Sequence, residues 1–309
     1  MRKEIEQALE LLHTRRLGAL DQALALLQGT VFSFSMKVCG HRQDAEDTMQ
    51  EVLLKAMPYL PKFSSPKALV VWLYTVAKNR CLMSRRRSKF APQQNLSLEE
   101  LMPDRQELAD LTAPDRSTPE QSYLRGEDDE RVRQAVLKVP PRYRLVLVLH
   151  DMEELSTEEI ARVTGLRAGT VRVRLHRARL FVRRELASKA ATPRKPRPQP
   201  ARARAPHPDA RCKQLFAALS EYLDDRLDDS TCDRLQQHMA GCQPCEAFLA
   251  SLESTVQGLR HYSPAADDGG HAVALRQELL RQYRDLLQSL PHKRGRRAAG
   301  ERQASTMPS

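Results

Sequence analysis

Aromatic residues are scarce in this sequence, at 5% of 309 positions with a single Trp, and glycine is scarce too, at 12. Large sheets draw on aromatic and β-branched residues, so a sheet-based enzyme is a poor fit and an all-α chain is expected. Long apolar runs are missing as well. The stretch ALVVWLYTVA at 68–77 falls well short of the roughly 18–20 residues that cross a bilayer. No N-terminal segment reads as a signal peptide, so a cytoplasmic protein with no membrane association is expected. Six cysteines in such a chain point to metal or redox chemistry rather than to a disulfide framework. What is abundant is charge: 50 Lys and Arg against 39 Asp and Glu, a net +11. A basic excess favours an acidic partner, most often nucleic acid.

Composition shifts divide the chain. Residues 1–90 carry helical Leu, Ala and Val periodicity. Residues 91–128 hold four prolines and weak apolar patterning, which suits a flexible acidic linker; from 97 to 130 there are eleven acids and three bases. Helical patterning returns over 129–187 and stops at 188–211, where six prolines and seven bases accompany one acid, the composition of an extended, self-repelling linker. A small Cys/His-rich unit at 212–262 follows, then a C-terminal helix and basic tail at 263–309. The helix is expected around 272–290 from Leu279, Tyr283, Leu286 and Leu290.

The clearest local pattern begins at Leu155, in LSTEEIARVTGLRAGTVRVRLHRARLFVRR. Ser156 followed by Glu159 forms a capping box that starts a short helix. Gly165 permits the sharp turn of a helix-turn-helix, and Leu166 is placed to fill the angle between the two helices. In the second helix Val171, Leu175, Ala178 and Val182 form the apolar stripe, while Arg172, His176, Arg179 and Arg183 occupy another face. Such a helix suits the major groove, with its first residues at base edges and later arginines on phosphates.

The N-terminal module carries two other surfaces. In GHRQDAEDTMQEVLLKAMPYL, Ala45, Met49, Val52, Leu53 and Ala56 form a buried stripe and leave Asp44, Glu46, Asp47, Gln50 and Glu51 as an acidic shoulder. Further on, a helix buried through Leu69, Val70, Leu73, Val76 and Ala77 ends in Lys78, Arg80, Arg85, Arg86, Arg87 and Lys89 with no acid between, a density suited to phosphate. In the last unit, Cys212, His238, Cys242 and Cys245 form C-x25-H-x3-C-x2-C. A Cys-x2-Cys knuckle with a His one helical turn upstream and a distant Cys supplies a complete tetrahedral Zn2+ site, structural because no position stays open for water, or redox-sensing through its thiols. Cys39 and Cys81 read as isolated buried thiols, and Cys232 as a small hydrophobe or a resolving thiol.

The order of a DAED..Q.V helix, a WLYTVAKNR segment ending in RRR, an acidic connector and an STEEIA…TVRVRLHRAR helix-turn-helix resembles the extracytoplasmic-function (ECF) group of the sigma-70 family, RNA polymerase initiation factors built from regions 2 and 4. The resemblance implies that Asp44, Glu46, Asp47, Gln50 and Glu51 dock on core RNA polymerase. It implies that Lys67, Trp72, Lys78, Asn79, Arg80, Arg85, Arg86 and Arg87 engage and open the −10 promoter element. Arg167, Thr170, Arg172, Arg174, His176 and Arg177 would read the −35 element. The family usually has Ser where this chain has Val173. The segment LSEYLDDRLDDSTCDRLQQHMAGCQPC is similar to the zinc-binding anti-sigma fold, which usually sits on a separate protein; fused in cis, it would fold back over region 2 or region 4, or contact a separate partner.

No Ser/His/Asp or paired-carboxylate arrangement stands out, so no enzyme activity is expected. The alternative is a zinc-containing helix-turn-helix regulator that acts without polymerase. The 15–90 module argues against it, because an ordinary repressor has no use for an acidic docking helix followed by a basic strand-opening one. Charge placement sharpens this picture: the linker carries a net +6 and the tail +4, so the folded part is close to neutral and must bind through patches.

Overall fold

The computed structural model of the chain describes residues 2–14, 17–86, 95–103, 105–112, 127–190 and 210–262, with a few positions between 273 and 281. These residues are helical with no strand among them, as the composition predicts. Arg87 and most of the helix expected at 272–290 lie outside the described residues, as do most of the two linkers.

Four helices form the first module: α1 (Arg2–His13), α2 (Leu17–Cys39), α3 (Arg42–Ala56) and α4 (Pro66–Arg86). They share a core that includes Ile5, Leu24, Leu27, Phe34, Met49, Val52, Leu53, Leu69 and Leu73. Cys39 and Cys81 do not stand isolated. They are joined as a disulfide between α2 and α4, with Cα atoms 5.8 Å apart.

Within the acidic connector, α5 (Leu98–Leu101) and α6 (Arg105–Leu111) bury Leu101 and Leu108. The second module follows as α7 (Glu127–Lys138), α8 (Pro141–Leu147), a π turn at Val148–Met152, α9 (Thr157–Thr164) and α10 (Ala168–Ala190). The cysteine-rich unit comprises α11 (Ala210–Leu223), α12 (Asp229–Gly241) and α13 (Gln243–His261). Its core centres on Phe216 against the edge of Phe248, with ring centroids 4.8 Å apart. None of the described helices is long and apolar enough to cross a membrane.

The first two modules pack directly on each other. Gly40, between α2 and α3, has φ +81, and a Cβ there would meet Leu137 of α7 at 2.6 Å. Its lack of a side chain thus permits both the turn and the close approach. Beside it, Glu153 is buried between Lys37, whose Nζ is 3.1 Å away, and Tyr74, whose hydroxyl donates at 2.6 Å. Arg144 donates to the carbonyl of Val38 at 3.0 Å. Burial pushes the Glu153 carboxyl up, with Lys37 and Tyr74 pulling the other way. Buried charge is tolerated here because the ammonium and carboxylate meet with hydrogen bonds.

Candidate nucleic-acid interface and metal centre

Local chemistry builds the α9–α10 corner as the sequence predicts. Ser156 Oγ accepts from the Glu159 amide at 3.2 Å, and Glu159 Oε2 accepts from the Ser156 amide at 2.9 Å, so two orphan donors at the start of α9 are satisfied reciprocally. Gly165 ends α9 at φ 74 and ψ 17, in the left-handed region. Leu166 packs against the core at the corner. From there α10 buries Val171, Leu175, Ala178 and Val182.

The remaining surface of α10 divides in two. Thr170, Val173, Arg174 and Arg177, at i, i+3, i+4 and i+7, share one face beside the buried stripe. Arg167 and Val173 are exposed, and Thr170, Arg174 and Arg177 are half-buried. Arg177 donates to the Leu96 carbonyl at 3.0 Å, and Arg184, two turns further on, to that of Glu100 at 2.7 Å, so the connector already occupies part of this face.

The flank carrying His176, Arg179 and Arg183 is turned into protein, while Arg172 at its start stays exposed. Sequence periodicity places Arg179 and Arg183 outward, yet both are essentially inaccessible. Arg179 lies between two acids. Its Nε donates to Asp151 Oδ2 at 2.9 Å and its Nη2 to Asp151 Oδ1 at 2.5 Å, while Nη1 and Nη2 donate to Asp224 at 3.0 and 2.8 Å. Arg183 contacts Glu107 of α6 and lies over the Phe248 ring at 4.1 Å. Burial alone would raise the Asp151 carboxyl, but the Arg179 guanidinium and His150 override it and hold Asp151 well below the usual carboxylate range.

The covering residues belong to α11 and its C-terminal extension. His176 Nδ1 is 2.8 Å from Ser220 Oγ, Arg172 is 3.3 Å from Glu221, and Arg226 reaches back to Glu158 of α9 at 3.3 Å. Burial, reinforced by Arg179 and Arg177, pushes the His176 imidazole down to about 4. His176 is therefore a neutral group at neutral pH, hydrogen-bonded to the cysteine-rich unit.

In the first module, Asp47 and Gln50 are exposed along α3, and Asp44, Glu46 and Glu51 are half-buried. Glu46 pairs with Arg42, and Glu51 pairs with both Lys55 and Arg80. Arg80 thus joins the acidic shoulder to the basic helix. Trp72 sits between the Tyr59 and Phe63 rings, with centroids 5.9 and 6.0 Å away. Lys67 and Asn79 are exposed. Lys78 instead donates to the Val163 carbonyl of α9 at 2.8 Å, so the second module already holds it. Arg85 and Arg86 lie at the end of α4, and their side chains, with all of Arg87, fall outside the described residues.

The four predicted metal ligands converge. The ligand atoms of Cys212, His238, Cys242 and Cys245 all lie within 4.8 Å of one another. His238 Nε2 stands 3.4 Å from Cys212 Sγ and 3.3 Å from Cys245 Sγ. Tetrahedral zinc, with Zn–S about 2.3 Å and Zn–N about 2.0 Å, requires sulfur–nitrogen separations of about 3.5 Å. The donor set and spacing therefore fit Zn2+. Burial and the neighbouring thiols push the Cys245 thiol well above its usual range, a penalty that a coordinated cation removes by stabilising thiolate.

Family comparisons agree with this organisation. Residues 24–90 match the model described as Sigma-70 region 2, residues 129–182 that described as Sigma-70, region 4, and residues 212–245 that described as "Putative zinc-finger". The chain is 30% identical over 156 residues to the RNA polymerase sigma factor YlaC of Bacillus subtilis, spanning 50% of this chain and 85% of that protein. It is 31% identical over 166 residues to the RNA polymerase sigma-H factor of Pseudomonas aeruginosa, spanning 52% of this chain and 82% of that protein. The chain belongs to the sigma-70 family, in its ECF group. The ECF RNA polymerase sigma factor SigW of Bacillus subtilis is similar too, 29% identical over 168 residues, or 54% of this chain and 89% of that protein.

These matches take in about half of this ECF chain and most of each of these relatives, and the zinc-finger match at 212–245 lies beyond the region 2 and region 4 matches. Sequence reasoning about region 4 missed Asp151 and Asp224, the two acids that bury Arg179. Asp224 belongs to the LDD repeat of the zinc unit, and an acidic repeat there was the available sign of a basic surface to be covered.

Proposed function

We propose that this protein is a sigma factor that directs promoter recognition and transcription initiation, and that its zinc unit restrains it in cis. In this reading, Asp44, Glu46, Asp47, Gln50 and Glu51 of region 2 bind core RNA polymerase. Lys67, Trp72, Asn79, Arg80 and the bases at the end of α4, joined by Lys78 once it leaves Val163, engage the −10 element. The α10 helix reads the −35 element. Zn2+ held by Cys212, His238, Cys242 and Cys245 fixes the fold of the 212–262 unit, and the protein works in the cytoplasm, where polymerase and promoter are found.

The observation that carries the restraint is the seating of the zinc unit on the flank of α10, with Arg179 enclosed by Asp224. The major groove is about 12 Å wide and a helix with its side chains measures about 10–12 Å, so the groove admits one helix and not α10 with α11 attached. Asp224 and Glu221 also hold the arginines that phosphate would otherwise take, and Lys78 is held by region 4. The same surfaces cannot bind DNA until the closed arrangement opens.

Run-off transcription with core polymerase tests this reading. The full chain and a chain ending at Ala190 are compared on genomic promoter fragments. Initiation that depends on either chain, with the shorter one more active, is expected. Tight duplex binding without polymerase and no initiation would favour the helix-turn-helix regulator, and equal activity of the two chains would remove the restraint while leaving the sigma-factor reading in place.

A further inference from the structure

Val173 is one of three exposed large apolar side chains among the described residues, with 51% of its surface open. It sits in the second turn of α10, on the outward stripe formed with Thr170, Arg174 and Arg177. Every other member of that stripe carries a hydrogen-bond donor. The zinc unit covers the neighbouring flank through His176 and Arg179, touches the exposed Arg172, and leaves Val173 open. A β-branched apolar residue gains nothing from helix propensity at an exposed position, and no burial explains this one.

The major groove offers an apolar target on one base only, the 5-methyl group of thymine. Resting on the proposed role of α10 in −35 reading, we infer that Val173 is a specificity-determining residue that contacts a thymine methyl in the −35 element of this protein's promoters. The arginines on either side hold α10 in the groove through phosphates and guanines, and the isopropyl group of Val173 then selects among the bases that it faces. Serine at this position would instead offer a hydroxyl, which accepts from or donates to several base edges and discriminates less by methylation.

Deoxyuridine supplies the test, because it pairs as thymidine does and lacks only the methyl. Duplexes with a randomised −35 segment are selected with core polymerase and the full chain, both unaltered and carrying Asp224→Ala to weaken the cover. Each enriched thymine is then replaced by deoxyuridine. At one such position, open-complex formation is expected to fall about fourfold, the equivalent of the ~0.8 kcal/mol carried by one buried methyl-sized group. The Val173→Ser chain should be indifferent to that replacement and the Val173→Ala chain less sensitive than the parent, and neither should melt below the parent because the site is exposed. The inference is overturned if no thymine is sensitive, or if the Val173 variants keep the full sensitivity. If no sequence is enriched and no initiation occurs with either parent chain, the sigma-factor reading fails together with it.

Discussion

Removal of Asp224 is the sharpest perturbation of the closed arrangement. Its carboxylate accepts two hydrogen bonds from the Arg179 guanidinium, at 2.8 and 3.0 Å, and its side chain is only 10% exposed. Stripping the sole partner from a buried ion costs about 3–5 kcal/mol, but Arg179 would keep both bonds to Asp151, so the loss is mainly that of the two charge-assisted hydrogen bonds, beside a longer 3.8 Å contact with His150. At about 1–1.5 kcal/mol each in this shared network, Asp224→Ala should weaken the seating of α11 by about 2–3 kcal/mol. That shifts the closed-to-open ratio by about 30- to 150-fold. Transcription by the full-length variant should rise towards that of the chain ending at Ala190, and amides of α11 should exchange faster with deuterium. Zinc content should not change, since Asp224 lies about 18 Å along the helix direction from Cys212 at ~1.5 Å per residue. If the Ala190 chain is hyperactive while the variant transcribes and exchanges like the parent, the cover is not held through Arg179 and the reasoning is wrong.

Acidification should act in the same direction. With the His176 imidazole pushed down to about 4 in the closed state and near the ordinary 6.5 once α11 departs, closure is fully favoured above about pH 6.5 and is lost as pH falls towards 4. At pH 5.5 the closed state should be about tenfold less favoured, roughly 1.4 kcal/mol, while Arg179 keeps its ion pairs because Asp151 stays ionised; exchange of α11 amides between pH 7.5 and 5.5 measures this, and His176→Gln should abolish the difference. Chelation of zinc should lower the melting temperature of the 212–262 unit and raise run-off transcription by the full chain, with no effect on the chain ending at Ala190; identical transcription before and after chelation would separate the metal from the restraint. Gly165→Ala meets no atom within 4 Å of the new Cβ but retains φ +74, so it should cost about 1–2 kcal/mol of stability, read as a lower urea midpoint at unchanged slope.

Local chemistry was legible in the sequence because its partners are close along the chain. The Ser156–Glu159 box and the Gly165 turn are complete within ten residues, and three of the four metal ligands lie within eight, from His238 to Cys245. The all-α fold followed from composition and helical periodicity. Periodicity gave the direction of Arg179 and Arg183 relative to the apolar stripe, but not what would be placed there. Their acids come from other elements: Asp224 stands 45 positions from Arg179 and Glu107 stands 76 from Arg183. The same holds for the Cys39–Cys81 link, with a separation of 42, and for the Lys37–Glu153 pair, with 116. Each of these depends on how helices are brought together, and no window along the sequence contains both partners. A solvated connector was the natural reading of 91–128, because Leu101 and Leu108 are too sparse to reveal the short helices that α10 and α13 shelter.

A single helix links the candidate metal ligands to the surface proposed to read the promoter. Cys212 lies in the first turn of α11, and Ser220, Glu221 and Asp224 lie at its other end, on His176, Arg172 and Arg179. With 14 residues, α11 is of a length that is only marginally helical by itself in water, so its rigidity depends on what grips it. Phe216 against Phe248 grips its middle, and zinc, by tying Cys212 to His238, Cys242 and Cys245, would fix its start against α12 and α13. Without that tie the first turn is free to fray, and the three contacts at the far end must then order a longer piece of chain for the same interaction energy. The acids of α11 thus resemble phosphates placed on a strut. Their grip on α10 depends on their charge and also on how firmly the opposite end of the strut is pinned, so under the proposed restraint a change in metal occupancy would alter promoter access without touching any residue that contacts region 4.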